Sequence, residues 1–469
     1  MTKILPLAAL ALAGCIRLGP DYQRPEVVAL PAAYPAPSAP GEAVVPADWW
    51  RLYSDATLDE LVSAARQSNA DVRLAAARVR EAEGVLREAR GALFPDVTSG
   101  YSYTRSRVSA ASVPPPPAGT VMRPSHTLTL ASTSFELDFW GRFARASEAV
   151  QANLLSSRLS QDTVGLTLAG GTAQAYFALR SLDAQIAVLD SSIKVREDSL
   201  AIARTRLQAG LASELDVFQA QGALADALFQ RRDAGRNRAL VERQLAQLTG
   251  RLDLKLAGAD LFALPLPPVP PAGLPSALLE RRPDIRAAEQ SLVAANAQIG
   301  VARAALFPTL SLTASAGVQS AELAELLTNP ARVWTLGAGI VAPIFDAGRR
   351  EARVEQAEAR REQAVAGYQR AIETGFREVA DALVNVRETG EAEDELRGRL
   401  EAARQALELS RLRYQSGYSP YLEVLDAQRT ENDAALAFVR NRQARLAFSV
   451  DLMKALGGGW KFGDGARTR

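Results

Sequence analysis

Side chains able to do chemistry are scarce in this chain, which holds one histidine, His126, and one cysteine, Cys15. A lone cysteine excludes an intrachain disulfide and a cysteine metal site, and a lone histidine argues against a zinc cluster. Acidic residues are plentiful, but most lie three or four positions from an arginine, which is typical of solvated helix faces. The sequence therefore predicts no catalytic residue, no metal and no cofactor, and His126 is expected to be a surface residue.

Charge and composition narrow the class of protein further. Lys+Arg 54 balance Asp+Glu 53 in a chain of 469 residues, and a nucleic-acid binder would need a basic excess. Ala, Leu, Arg, Glu and Gln dominate long stretches, which is the composition of long helices.

The N-terminal segment predicts export. Residues 1–14 hold one lysine and an apolar run too short to span a bilayer, as in a secretory signal. Leu12-Ala13-Gly14-Cys15 resembles the lipobox of bacterial lipoproteins, in which the cysteine is lipidated and becomes the mature N-terminus; the alternative is an ordinary signal with an incidental cysteine. Because Ile16 rather than Asp follows, such a lipoprotein is expected in the outer membrane. The proline-rich residues 15–54 predict a lipidated, extended tether.

A long internal duplication organises the rest of the chain. The segment 204–221 is echoed by 411–428, so that Gly210 corresponds to Gly417 and Leu215 to Leu422. The duplication predicts two similar halves that pack side by side. They comprise residues 55–250 and 276–456, separated by a proline-rich crossover at 251–275 and followed by a tail at 457–469.

Each half contains two alternating, β-prone segments, which lie at 97–109 and 126–139 in the first half and at 309–319 and 333–345 in the second. Their lengths fit tilted strands that cross a bilayer, with Leu128 and Leu130 as expected lipid-facing residues. The edge of a soluble β-sandwich is the alternative. Four strands are too few to close a membrane barrel and bilayers do not tolerate open edges, so several chains would have to combine theirs.

Proline-free helices follow each strand pair, at 141–207 and 348–414, with apolar residues at coiled-coil spacing. At ~1.5 Å per residue each would be roughly 100 Å long, which suits a structure that spans a compartment. Gly210 and Gly417 are predicted to end them in the left-handed conformation. Ser213, and Ser419 followed by Pro420, are predicted to cap the returning helices, which gives two hairpins with tips at 210–213 and 417–420. A helix capped by Asp55 is expected to reach about Leu93.

Several motifs, in this order, resemble those of the TolC-like outer membrane efflux proteins, in their OprM/NodT-type lipoprotein branch. They are Gly19–Pro25, Phe135–Arg142, Glu280–Glu289, Ile344–Arg349 and Tyr421–Arg429. The resemblance implies a mostly α-helical chain with a transmembrane β part, whose four strands join those of two further copies. The result would be a homotrimer with a 12-stranded β-barrel, continued by a long α-helical periplasmic barrel.

The same resemblance implies function. Such proteins lie in the outer membrane, in contact with its lipid, and are passive exit ducts of tripartite efflux pumps or type I-like export systems. A periplasmic adaptor joins them to an inner membrane transporter. The resemblance leaves the exported compound open.

The resemblance also assigns site residues. Leu422 and Asp426 are four residues apart and so share a helix face; in the family, a leucine and an aspartate at these positions form the tunnel constriction. Three copies of Asp426 would make an acidic ring able to bind cations, whereas a surface cap or salt bridge is the alternative. Arg413 and Tyr414 are expected to latch the closed state. The adaptor is expected to contact the tips, formed by Gly210, Leu211, Ala212, Ser213, Gly417, Tyr418, Ser419 and Pro420.

Two other functions remain open at this point. A lipid-anchored periplasmic coiled-coil scaffold, or an adhesin stalk, would need the helices but not the alternating strands. A lipoprotein enzyme would need a nucleophile or metal cluster, of which the sequence gives no sign.

Overall fold

The computed structural model describes residues 16–26, 29–34, 45–107, 109, 111, 114, 122–273 and 275–460. The predicted signal at 1–14, Cys15 and residues 461–469 of the predicted tail lie outside the described residues. The chain forms two compact units. The unit that contains the described residues of 16–26, 79–157 and 288–368 is called the sheet unit, and the unit that contains the other described residues is called the helical unit.

The strands are β1 Thr98–Arg107, β2 Met122–Leu137, β3 Thr309–Ser320 and β4 Arg332–Val341. They form one antiparallel sheet in the order β1-β2-β3-β4. β2 starts at Met122 rather than at the predicted His126 because it pairs with β1 through Pro124, which lies opposite Arg105. β4 stops at Val341, short of the predicted end, and Pro343, which cannot donate a ladder hydrogen bond, follows soon after.

The register of the sheet separates an apolar face from a polar face. Tyr101, Leu128, Val318 and Arg332 lie in one row across the strands, and alternation then fixes the remaining side chains. The apolar face carries Tyr101, Tyr103, Leu128, Phe135, Leu310, Leu312, Val318, Trp334, Leu336 and Ile340. The polar face carries Ser102, Thr104, Thr127, Thr129, Ser311, Thr313, Ser315, Gly317, Thr335 and Gly339. Leu128 is thus on the apolar face, as predicted, whereas Leu130 is the extra residue of a β-bulge and has no ladder partner.

The helices are α1 Ala56–Ser68, α2 Ala70–Gly91, α3 Arg142–Gln208, α4 Glu214–Thr249, α5 Leu278–Arg281, α6 Pro283–Ala304, α7 Arg349–Gln415 and α8 Tyr421–Ala455. The long helices α3 and α7 differ from the predicted ranges by one residue at each end, and both contain 67 residues. No helix in the described ranges combines the length and the apolar character that a membrane crossing requires.

The helix predicted from Asp55 to Leu93 is in fact two helices. Asp55 caps α1 as predicted, because its side chain accepts a hydrogen bond from the Leu58 amide at 2.8 Å. Asn69 then interrupts the helix with an extended backbone (ψ 141). Its buried side chain accepts from the Asp71 amide at 2.7 Å and donates to the Leu248 carbonyl at 2.9 Å. These bonds replace the helical hydrogen bonds that the break removes.

Two described stretches of the predicted tether are not free: Trp49–Tyr53 forms a short 3-10 helix with buried aromatic side chains, and residues 16–26 are held within the sheet unit. The guanidinium of Arg145, only 3% exposed, donates to the carbonyls of Leu18 (3.1 Å) and Gly19 (3.3 Å) and pairs with Asp21 at 2.7 Å. Gly19 has φ 91, and a Cβ there would lie 2.5 Å from the Cα of Gly300. Glycine is therefore needed at this position for both its conformation and its close approach.

Tyr22 and Arg24 hold the same segment to α6. Arg24 donates to both carboxylate oxygens of the buried Glu289, at 2.6 and 3.0 Å, and the Tyr22 hydroxyl donates to it at 3.2 Å. Burial, followed by the charge of Glu289, raises the pKa of Tyr22, so the phenol stays protonated as a donor. Tyr22 and Arg24 of the motif Gly19–Pro25 thus bind Glu289, the last residue of the motif Glu280–Glu289.

Aromatic residues fill the core of the helical unit. Trp49, Tyr53, Leu58, Phe177 and Leu245 are fully buried together, and the Tyr53 hydroxyl lies 2.6 Å from that of Ser449.

The motif Glu280–Glu289 is interrupted at Arg282, which lies between α5 and α6. This buried guanidinium pairs with Asp284 at 2.6 Å and Glu378 at 2.7 Å, and donates to the Ala455 carbonyl at 3.1 Å.

The prediction of a tail is wrong at its first residues. Gly457, Gly458 and Gly459 form a turn with φ values of 97, 56 and 73, and the Trp460 indole donates to Asp162 at 2.9 Å. Glycine adopts the left-handed conformation at little energetic cost, which explains why three glycines follow one another here.

Candidate functional site

The second hairpin tip turns as its glycine predicts. α7 ends at Gln415, and Gly417 has φ 79. The amide of Tyr418 donates to the Arg413 carbonyl at 2.8 Å and that of Gly417 to the Tyr414 carbonyl at 3.0 Å. This is the hydrogen-bond pattern that closes a helix before a left-handed residue.

The predicted cap of α8 at Ser419 is wrong. Pro420 occupies the N-cap position in an extended conformation (φ -71, ψ 159), and it offers no side-chain hydrogen bond. Among the described residues, the buried hydroxyl of Ser419 has no hydrogen-bond partner. At the first tip Ser213 does cap α4, although its contact with the Asp216 amide is long at 3.4 Å.

Leu422 and Asp426 lie one turn apart on the exposed face of α8, as their spacing predicts. Leu422 is 59% exposed and Asp426 is also exposed, whereas Tyr421, Val424 and Gln428 on the opposite face are buried. No salt bridge within the described residues engages Asp426. The alternative of a surface ion pair is therefore not seen among the described residues, and the pore-facing role of Leu422 and Asp426 stays a prediction.

Arg413 and Tyr414 stabilise the hairpin in different ways. Arg413 bridges α7 and α8 through a 2.9 Å ion pair with Glu423, and both side chains are largely exposed. The Tyr414 ring is buried and packs edge-on against Tyr421 at 5.4 Å. Burial raises the pKa of Tyr421 to about 12. The structure therefore brings the predicted latch residues together within one hairpin.

Arg206 joins the two tips, and sequence reasoning missed it. Its guanidinium lies 4.9 Å from the Tyr414 ring centroid and donates to the carbonyls of Gln415 (3.1 Å) and Leu211 (3.4 Å). Arg206 is the counterpart of Arg413 in the duplication, so the signal was present in the sequence, but the carbonyls it would reach were not predictable.

Buried polar groups behind the second tip were also missed. The Gln428 amide donates to the Ser199 hydroxyl at 2.8 Å. Arg196, which is nearly buried, donates to the Ala223 carbonyl at 2.5 Å and lies 3.8 Å from Asp226. These contacts tie α3, α4 and α8 together just behind the exposed Leu422 and Asp426.

Both tips expose apolar side chains. Leu211 is 67% exposed, Phe218 63% and Tyr418 81%. Exposed apolar residues grouped at a helix end are the kind of surface that binds another protein.

His126 lies inside β2 rather than at its start, and it faces the apolar side of the sheet. Its Nδ1 is 2.8 Å from the Tyr101 hydroxyl, and its ring is 4.7 Å from that of Tyr103. Over the part of the chain that the structure describes, no group of His, Cys, Asp and Glu could hold a metal ion.

This arrangement of a two-faced sheet and paired helical hairpins matches known proteins. The model of the family described as "Outer membrane efflux protein" matches residues 61–251 and 274–458, one segment in each half. The chain is 36% identical to the toluene efflux pump outer membrane protein TtgF of Pseudomonas putida over 480 residues, covering 98% of this chain and 97% of that protein. It is 35% identical to the outer membrane protein OprJ of Pseudomonas aeruginosa over 470 residues, covering 97% and 95%.

Solved structures agree. The outer-membrane channel OprN superposes with a TM-score of 0.87 at 29% identity, covering 95% of this chain and 99% of that one. The MtrE outer membrane channel of Neisseria gonorrhoeae, in its open state, gives 0.85 at 29% identity with the same coverage. The fold and these similarities thus define an outer-membrane channel of the TolC-like class. This chain belongs to the outer membrane efflux protein family.

Proposed function

We propose that this chain is the outer membrane exit duct of a tripartite efflux pump or a type I-like export system, and that it works as a homotrimer. The observation that carries the proposal is the sheet, which has an apolar face, a polar face and two open edges, β1 and β4. Strands with unpaired edges are not tolerated in a bilayer, so the edges must pair between copies. Three copies would then give a 12-stranded barrel with its apolar face toward lipid.

The gate belongs to the second tip in this proposal. Leu422 and Asp426 would converge around the trimer axis, with Asp426 as an acidic ring that attracts cations. Arg413 and Tyr414 would hold the closed hairpin through Glu423 and Tyr421. Opening would require the Arg413–Glu423 pair to break or shift, because it ties α7 to α8 at the constriction.

A periplasmic adaptor would contact the residues of both tips, 210–213 and 417–420, and an inner membrane transporter would supply the exported compound. Toluene efflux is stated in the name of the relative TtgF; for this chain we assign passive conduction of small molecules without a particular substrate. Lipidation at Cys15 would anchor the chain in the outer membrane.

Purified protein reconstituted in planar lipid bilayers tests the proposal. A trimer that migrates as such in mild detergent, dissociates on heating and opens discrete conductances is expected. A protein that stays in solution as a coiled coil and gives no conductance would indicate the scaffold instead. Palmitate labelling of wild type against Cys15→Ser tests the anchor separately, because Cys15 is the one cysteine of the chain and no other thiol could take up the label.

A further inference from the structure

Three arginines lie on the apolar face of the sheet, at the end that carries the connections between strands. We call this end the outer end, because the helices α2, α3, α6 and α7 attach at the other. Arg105 and Arg107 are near or at the end of β1, and Arg332 begins β4. Arg332 lies opposite Val318, and Arg105 and Arg107 follow Tyr103 at alternate positions. Alternation therefore places all three on the apolar face.

These arginines are exposed, and no acidic side chain among the described residues pairs with any of them. Their neighbours on the same face are aromatic, namely Tyr101, Tyr103 and Trp334. Arginine next to Tyr and Trp at the end of an apolar band is typical of the boundary between acyl chains and headgroups.

The β3–β4 connection adds apolar side chains beside the row that holds Arg332. Leu326 packs on Val318 and Leu128, which belong to the apolar face. Leu323 and Leu327 beside it are 61% and 82% exposed. Exposed leucines in the connection that leads directly into Arg332 fit a surface that contacts acyl chains and anionic headgroups together.

Resting on the proposed insertion of the sheet in the outer membrane, we propose that Arg105, Arg107 and Arg332 bind the phosphate groups of phosphorylated lipid headgroups in the outer leaflet. A guanidinium forms two parallel hydrogen bonds with a phosphate and is weakly hydrated, so it suits this boundary. Because β1 and β4 are the two edge strands, arginines from neighbouring copies would meet where those edges pair. Each trimer would thus carry its headgroup sites at the three junctions between copies.

Arg123 provides a matched control. It lies at the same outer end, but it is opposite Ser106 and therefore on the polar face. It is exposed like the other three. Removing its charge alters the net charge of the outer end without altering the face toward lipid.

The test uses the full-length trimer in detergent, with native mass spectrometry to count bound lipid. The probes are bisphosphorylated lipid A, lipid A stripped of both phosphates, and inorganic phosphate. The wild type should retain bisphosphorylated lipid A at least about tenfold better than the dephosphorylated form. The variant R105Q/R107Q/R332Q should lose that preference, and R123Q should keep it. Competition by inorganic phosphate at equal concentration would point to free phosphate and overturn the assignment to a lipid.

Equal retention of the two lipid A forms by the wild type, or an undiminished preference in the triple variant, would also overturn this site. Conductance of the same samples in planar bilayers reports the channel independently. A conducting wild type without headgroup preference contradicts only this inference, whereas a wild type that neither inserts nor conducts contradicts the proposed function. Conductance of the triple variant should equal that of the wild type, which shows that it is folded.

Discussion

Gly210 and Gly417 turn the two hairpins with almost the same backbone, at φ values of 71 and 79, yet the side chains beyond them differ. Leu215 and Leu422 are matched in exposure, at 62% and 59%, but the next turn carries Gln219 in the first tip and Asp426 in the second. The duplication has kept the turn and the exposed leucine and has placed a carboxylate in one copy only. The comparison teaches that the same backbone positions both tips, while charge distinguishes the second tip, which we propose as the gate, from the first.

The largest expected effect is on conduction. Replacing Leu422 and Asp426 together by alanine should raise single-channel conductance several-fold and weaken block by divalent cations, because bulk and three converging charges are removed. The matched change Leu215→Ala with Gln219→Ala should leave both properties near the wild-type values. Planar bilayer recordings measure both. Equal behaviour of the two double variants would remove the distinction between the tips.

Matched substitutions in the strands should have similar effects in the two halves. Leu128→Arg in the first half and Leu336→Arg in the second each place a charge on the apolar face, where the expected cost is about 2–4 kcal/mol at the membrane centre and falls toward the boundary. The controls Thr129→Arg and Thr335→Arg place it on the polar face and should cost much less. Yield of heat-dissociable trimer in outer membranes is the measurement. Similar yields for a variant and its control would mean that the faces are reversed or that the sheet is not in lipid.

Helix capping should distinguish the two tips through a smaller effect on stability. Ser213→Ala should cost about 0.5 kcal/mol, at the low end for a cap, because its hydrogen bond is long and exposed. Ser419→Ala should cost nothing, since that hydroxyl has no partner among the described residues. Amide hydrogen exchange in the first turns of α4 and α8 would detect the difference. Faster exchange in α8 after Ser419→Ala would show that Ser419 does cap this helix, as the sequence predicts.

The smallest effect concerns alkaline pH. Burial raises the pKa of Tyr421 to about 12, so between the ordinary tyrosine pKa of ~10 and 12 the folded chain keeps a proton that the unfolded chain loses. Stability therefore falls as pH rises through this range. Tyr421→Phe should lose less stability than the wild type between pH ~10 and 12. The first tip has Glu214 in the equivalent position and so has no tyrosine there. Denaturant unfolding of the wild type and of Tyr421→Phe at several pH values measures this difference. Parallel plots of unfolding free energy against pH for the two proteins would contradict the prediction.

The sequence predicted features that depend on local chemistry. The left-handed turns at Gly210 and Gly417 were predictable because glycine adopts that conformation readily. The absence of proline allowed the ends of α3 and α7 to be predicted to within one residue. Alternation likewise predicted that Leu128 lies on the apolar face.

Features that depend on distant partners were not predictable. Asn69 breaks a helix without Gly or Pro because a carbonyl far along the chain, that of Leu248, satisfies its side chain. The bridge from Arg206 to both tips and the clamp around Gly19 are set by packing, which a single sequence does not reveal. The prediction that Ser419 caps α8 was wrong because Pro420, whose φ is fixed by its ring, occupies the cap position.

The equal length of α3 and α7, 67 residues each, limits how such a gene can change. An insertion or deletion in one helix alone would put the two tips out of step, because each added residue rotates the helix by about 100° and advances it by about 1.5 Å. Length changes are therefore expected to be tolerated only when both halves change together, or as additions in the strand connections, where no second segment must match their length.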